Sequence, residues 1–337
     1  MNIDSFKIKF PIDCVNDYKR SAFNNCTEDT YNDCEELSDR KIQYKLIAKK
    51  PLGLKDIVLN QTSGNVTVEM SAKILKEKYF SLININTIEN ALENINASGL
   101  IQINVPESVE NAQVLRCDVT TDLHIEDIPK HLRSLAAYKV NQKYDCKFYP
   151  SSVVFDKRVK TPALKEYLTL YCKETDMKKK DRELLKYVST KDAKNILRCE
   201  TKCGNFQQIR NAIDGTNLSL LSVLESKGNP NLKIFNQITQ GISEVEYNAI
   251  ENLQKLMDMK SKNYHKHIRN ALGDFAILDL CNYDIELVKI YLATNSTANN
   301  SRLLKHFKSR LKAKNEFDSS KTIETDIQEI RSLLSAV

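Results

Sequence analysis

Glycine and proline are scarce in this 337-residue chain, at 8 and 7 residues. So little turn punctuation argues against a repetitive all-β protein and against glycine-rich linkers. Long apolar runs are also missing. Nothing approaches the ~18 residues of a membrane helix, and no basic stretch leads into an apolar run with a cleavage site. Membrane insertion and signal-directed secretion are therefore not expected. The 9 cysteines include no Cys-x-x-Cys, and the close pair Cys199 and Cys203 lacks a second Cys or His pair to complete a zinc site. They read as reduced thiols of a cytoplasmic protein. Also lacking are Gly-x-x-x-x-Gly-Lys, Gly-x-Ser-x-Gly and His-Glu-x-x-His, which argues against a P-loop ATPase, a serine hydrolase and a zinc protease. Tyr264-His-Lys-His267 superficially resembles a paired-His motif. In a helical pattern, however, His265 and His267 point to different sides, so the stretch reads as surface.

What is present is an ordinary soluble mixture, 28% charged and 41% hydrophobic, with length for roughly two domains. The net charge of +6 is unevenly spread. Residues 11–39 hold eight acids against two bases, whereas residues 157–210 hold fifteen Lys/Arg against seven Asp/Glu, a local +8. A patch of that kind is either a solvated face or a surface for a phosphate backbone.

Alternating polar and apolar residues predict strands at 5–10, 67–73, 114–123, 167–173 and 196–202. Helical spacing of Ile85, Ile88, Leu92 and Ile95 predicts a helix capped by Asn86 and Glu89 and stopped at Gly99. A second helix is expected from Asp127 through Ile128, Leu132 and Leu135, and a third around Leu184, Leu185 and Val188. Two strands share a tetrapeptide, Leu115-Arg-Cys-Asp118 and Leu197-Arg-Cys-Glu200. Side chains two apart share a sheet face. Leu115, Cys117, Val119 and Leu123 therefore oppose Arg116, Asp118, Thr120 and Asp122, and Leu197 and Cys199 oppose Arg198, Glu200 and Lys202. Likewise Leu168, Leu170 and Cys172 oppose Tyr167, Thr169, Tyr171 and Lys173, and Val68, Met70 and Ala72 oppose Glu69, Ser71 and Lys73.

One face of this sheet is thus polar and rich in acids, bases and tyrosines. Carboxylates gathered there can hold a hard divalent cation, Mg2+ or Mn2+, and Asp118, Glu200 and Glu69 are the candidate ligands. The plainer alternative is a pair of cross-strand ion pairs, Asp118 with Arg198 and Glu200 with Arg116. Tyr171 is a candidate nucleophile. A phenol with a pKa near ~10 needs a metal or a nearby cation to react at neutral pH, and Lys173 is predicted to share its face. Tyr167 and Tyr171 also suit a strand simply as aromatic residues.

The blocks Val68-Glu-Met-Ser-Ala-Lys-Ile-Leu75, Leu115-Arg-Cys-Asp-Val-Thr120, Tyr171-Cys-Lys-Glu-Thr-Asp-Met177 and Leu197-Arg-Cys-Glu-Thr201 together resemble the rolling-circle replication initiators of the gene II/X type. These initiators belong to filamentous phages and related plasmids. Order and approximate spacing match over about residues 66–205, and the last third matches only as a helix-rich region. Phage members carry Ser-Pro-Ala-Lys followed by Gly-His-Asn, where this chain has Ser71-Ala-Lys-Ile-Leu-Lys-Glu-Lys-Tyr79. A His-hydrophobic-His strand is absent.

The resemblance implies an α+β, tyrosine-nuclease-like fold with an antiparallel sheet, its repeated tetrapeptide leaving a duplicated unit open. A DNA-nicking region over residues 1–205 and a helical region over 206–337 are expected. The implied activity is nicking of one origin strand by Tyr171, a 5′-phosphotyrosyl link, and later rejoining, with a divalent metal on Asp118 and Glu200, to which the polar sheet face adds Glu69 as third ligand and Lys173 as helper. Lys73, Arg116, Arg198 and the triplet Lys178, Lys179 and Lys180 would contact DNA. The implied partners are double- and single-stranded origin DNA, with a host helicase and polymerase, in a bacterial cytoplasm. Two other readings stand beside this one, a non-enzymatic DNA- or RNA-binding replication regulator and a conjugative relaxase.

Overall fold

The computed structural model describes residues 1–26, 28–31, 37–138, 141, 143–161, 165–240, 276–278, 280–281, 285–295 and 300–337. His265 and His267 lie outside them. The strands are β1 (Ile3–Pro11), β2 (Val15–Tyr18), β3 (Phe23–Asn25), β4 (Glu28–Tyr31), β5 (Leu37–Lys41), β6 (Gln43–Leu46) and β7 (Leu54–Asn60). They continue with β8 (Asn65–Ser71), β9 (Ile101–Ile103), β10 (Gln113–His124), β11 (Tyr144–Tyr149), β12 (Ser152–Lys157), β13 (Tyr167–Cys172) and β14 (Ile196–Cys203). The helices are α1 (Ile88–Asn96), α2 (Val105–Asn111), α3 (Ile128–Ala137), α4 (Lys173–Lys180), α5 (Phe206–Ile213), α6 (Leu220–Glu225), α7 (Pro230–Ile238), α8 (Ile285–Asn295) and α9 (Asn300–Ser335).

The fold is α+β. Among the described residues ten strands form one antiparallel sheet, in the order β11-β12-β13-β14-β10-β1-β8-β7-β6-β3. No helix among them is long and apolar enough to cross a membrane. The two Leu-Arg-Cys strands, β10 and β14, lie side by side near the middle, with Thr120 opposite Glu200 and Asp122 opposite Arg198.

Alternation reads most faces correctly. Cys117, Val119, Leu168, Leu170, Leu197 and Cys199 are buried on the apolar face. Leu115 is the exception. Pairing with β1 shifts register between Lys7 and Ile8, so Val114 takes the core position opposite Ile8 and Leu115 is only half-buried. A β-bulge of one residue swaps faces in this way.

The apolar face is covered by α2, α5, α6 and α7. Asn231 of α7, fully buried, accepts from Thr201 Oγ1 at 2.6 Å and donates to Thr121 Oγ1 at 3.0 Å. One amide therefore pins the helix to β14 and β10.

The other expectations for elements hold in part. α1 begins at Ile88 rather than Ile85, which is exposed, and the Thr87 hydroxyl accepts from the Asn84 N–H at 2.9 Å just before it. The Asp127 side chain caps α3 by accepting from Lys130 N at 3.0 Å. The expected helix around Leu184 is a single 3-10 turn, Leu184–Lys186. Strand β13 stops at Cys172, and Lys173 opens α4, whose first turn carries Glu174 and Asp176. Acids at that position favour a helix start, which alternation alone cannot register.

The described chain divides into two compact units. The first holds residues Met1–Leu132, Gln142–Ile238 and Ile330–Val337; the second holds Arg133–Asn141 and Thr239–Glu329. A boundary at residue 205 therefore falls inside the first unit, because α5–α7 are the cover of the sheet. The second unit has its own apolar cluster of Leu278, Cys281, Val288, Leu292 and Phe307.

Candidate functional site

The polar sheet face is not open to solvent around Arg198. A 3-10 segment, Ala72–Ser81, follows β8 directly and brings Tyr79 over it. Lys73 Nζ reaches Asp181 Oδ1 at 2.5 Å, joining this segment to the residue that ends α4. Gly53 permits the close approach of segment 72–81. Its φ is +84°, and a Cβ there would sit 2.1 Å from the Ile74 nitrogen.

Beneath this cover Arg198 is 0% exposed. Its guanidinium grips Asp122 in two parallel bonds of 2.6 and 2.8 Å and donates to Asp4 Oδ1 at 2.9 Å and the Tyr79 hydroxyl at 2.7 Å. Expected as a DNA contact, Arg198 is instead an internal counter-charge. Buried cations are kept by such pairing and bidentate geometry.

A cleft of about 500 Å³ adjoins this network, lined by Tyr171, Glu200, Lys173, Lys73, Lys179 and Asp4 among others. The Tyr171 hydroxyl donates to Glu200 Oε1 at 2.6 Å. Burial, and then the nearby Asp4 carboxylate, push Glu200 up to about 7. Burial, followed by the Glu200 charge, holds the Tyr171 phenol well above its ordinary range. Tyr171 is thus a protonated phenol hydrogen-bonded to a carboxyl that is half ionised near neutral pH.

Lys173 is 2% exposed, 3.3 Å from Asp176 Oδ2 and 3.9 Å from Asp181 Oδ2, with its ammonium 5.6 Å from the Tyr171 ring centroid. Burial, then the positive charge of Arg198, lower its pKa. Tyr167 lies four residues earlier on β13, roughly 13 Å along the strand. It receives the Lys165 ammonium over its ring at 4.8 Å and does not line this cleft.

The expected three-acid metal set is not assembled. Asp118 faces Lys202 across β14, and Glu200 lies diagonally two positions along. Glu69 sits on β8, three strand spacings from β14, roughly 14 Å. Its neighbour is Arg116, whose guanidinium lies 3.7 Å from Glu69 and 3.9 Å from Asp118. Arg116 therefore serves these two acids outside the Tyr171 cleft. Asp118 Oδ1 is buried without a hydrogen-bond partner, and burial, partly offset by Arg116, raises its pKa. The alternative ion pairs Asp118–Arg198 and Glu200–Arg116 do not form either, because the register sets Arg198 opposite Asp122.

The acid that does join Glu200 is Asp4, which sequence reading missed. It lies one residue before the segment that alternates, at a register shift between Ile3 and Ser5. Tyr79, Asp122 and Asp181 were missed for a similar reason, since each reaches the site through the covering segments or a neighbouring strand.

The lysine triplet occupies the end of α4. Successive helical residues point ~100° apart, so Lys178 and Lys179 face different ways. Lys179 lines the cleft. Lys178 is turned to Glu174, 2.6 Å away. Lys180 is the last residue of the helix.

No protein-family model, curated protein or solved structure matches this chain.

Proposed function

We propose that this protein is a rolling-circle replication initiator that nicks an origin DNA strand through Tyr171 and later rejoins it. The observation that carries the reading is the 2.6 Å hydrogen bond from the Tyr171 hydroxyl to Glu200 in a lysine-lined cleft. A phenol of raised pKa cannot attack as a preformed phenolate at pH 7. It can attack while passing its proton to a base already in contact, and a carboxyl pushed up to about 7 is matched to that task. The phenol oxygen would bond to phosphorus as the P–O3′ bond breaks, Glu200 would take the phenol proton, and the departing 3′ oxygen would gain a proton from Glu200 or water to become the free hydroxyl. Rejoining reverses these roles. Lys173, Lys73 and Lys179 supply positive charge where the phosphoryl oxygens gather it.

Asp118 and Glu69 do not face this cleft, so the metal set expected from sequence does not fit it. Asp4, which lines the cleft with Glu200, is the carboxylate left to receive Mg2+ or Mn2+, because a cation on Glu200 would take the lone pair that must accept the phenol proton. A cation bound there would neutralise charge on the phosphate. The resemblance in four ordered sequence blocks supports origin DNA as substrate and a host helicase and polymerase as partners.

The test is incubation of the supercoiled parent replicon with protein and Mg2+, followed by a search for protein-linked nicked DNA. Tyr171→Phe should abolish the adduct and leave folding intact, Tyr167→Phe should retain it, and chelation should suppress it. An adduct that persists in Tyr171→Phe overturns the choice of nucleophile. Binding without any adduct favours the non-enzymatic regulator.

A further inference from the structure

The Tyr171 cleft does not end at Lys73. A second cleft of about 510 Å³ shares Lys73, Lys179 and Asp181 with it. A third, of about 290 Å³, shares Pro51, Leu52 and Glu183 with the second. Their walls together carry ten Lys/Arg and five acids. Three of those acids are internally matched: Asp4 by Arg198, Asp176 by Lys173, and Asp181 by Lys73 and Lys173. Lys49, Lys179, Arg182 and Lys186 are exposed along the walls.

Aromatic side chains flank this cationic run. At the far end Tyr187 is 39% exposed, with the Lys76 ammonium 5.9 Å from its ring centroid. At the Tyr171 end Phe148 and Tyr149, at the β11–β12 turn, are 48% and 50% exposed, and Tyr149 lines the cleft. Lys76 itself adopts φ +54°, ψ −114° at a kink in the covering segment. A lysine held in so rare a conformation is placed by its surroundings, a common feature of ligand-binding sites.

We infer that the three clefts form one groove that holds a single-stranded polynucleotide, its phosphates on Lys179, Arg182 and Lys186 and its bases on Tyr149 and Tyr187. Cations alone would suit any polyanion. Exposed rings suit bases that are not already stacked in a duplex, and interleaved rings and cations are how single strands are held without regard to sequence. The inference deepens the proposed function, on which the passage of the strand across Tyr171 rests.

The experiment is fluorescence anisotropy in chelator, so that no cleavage intervenes. The probes are a labelled 20-mer of deoxythymidine, a duplex of equal length, and polyglutamate as a plain polyanion, each across a salt series. The single strand should bind at least tenfold more tightly than either competitor. Tyr149→Ala/Tyr187→Ala should weaken it about tenfold or more with the salt slope unchanged, while Tyr149→Phe/Tyr187→Phe retains binding. Lys179→Ala/Lys186→Ala should make the slope of log affinity against log salt shallower by about 0.7 per lost contact. Equal or tighter binding of the duplex or of polyglutamate overturns the inference, as does an unchanged slope in the lysine variant. A chain that binds the single strand and forms no adduct keeps the groove and loses the nicking reading.

Discussion

A carboxyl pushed up to about 7 by burial and by Asp4 is half ionised at neutral pH, so the group that accepts the Tyr171 hydrogen bond titrates in the range where the proposed reaction would run. On the proposed mechanism nicking should rise with pH between about 6 and 8 as Glu200 loses its proton. Glu200→Gln should cut the rate by about 10²–10⁴ and flatten that profile. Stability should move the other way. The folded carboxyl binds its proton more tightly than the unfolded one, whose ordinary value is 4.5. The protein therefore loses stability as pH rises from about 4.5 to about 7, by about 3 kcal/mol from this group alone. Comparing urea midpoints of the protein and Glu200→Gln across that range isolates the contribution, and parallel curves would contradict it. Arg198 supplies a second test at this scale. Arg198→Met strands Asp122 and Asp4 beneath the cover and should cost about 3–5 kcal/mol. A surface DNA contact would cost under about 0.5 kcal/mol, so denaturation distinguishes the two roles.

Among elements, the segment Ala72–Ser81 matters most to the site. It brings Lys73 to Asp181 and Tyr79 to Arg198, and it passes close to Gly53. Gly53→Ala adds a Cβ against backbone and strains a residue at φ +84°. The variant should lose about 1–3 kcal/mol and displace Lys73, seen as a lower melting temperature together with weaker nicking. A fully stable, fully active Gly53→Ala would show that the segment can shift freely. Strand positions were legible in the sequence because burial on one face imposes a period of two. The covering segment was not, because its residues Lys73, Ile74, Leu75 and Tyr79 follow no single period, and its helical geometry breaks at the Lys76 kink.

For the whole molecule, the division into units shows how far apart in sequence a compact body can recruit its parts. Residues Ile330–Val337, which begin within the last turns of α9, belong with the first unit. Ile330 and Leu334 are 0% exposed, Asn229 Nδ2 donates to the Leu334 carbonyl at 2.8 Å, and Arg331 Nε donates to Asn236 Oδ1 at 3.0 Å. Ending the chain after Glu329 should therefore lower the melting temperature by roughly 10 °C or more, from two lost apolar side chains at about 1.5–3 kcal/mol each. An unchanged melting temperature would separate this terminus from the stability of the first unit.

Taken alone, the sequence determined the strands 5–10, 114–123 and 196–202 and the polar face carrying Tyr171 and Glu200. These follow from local periodicity, and a side chain's face is set by its own strand. Tertiary structure decided which polar residues meet. Register placed Asp122 opposite Arg198 and kept Asp118 diagonal to Glu200, and three strand spacings removed Glu69 from the cleft. Asp4 came to Glu200 from a strand nearly two hundred residues away, and the folded-over segment buried Arg198 while leaving Lys179 in the groove. Pairings of that kind depend on strand order, register and coverage, which are properties of distant segments packed together and leave no local pattern.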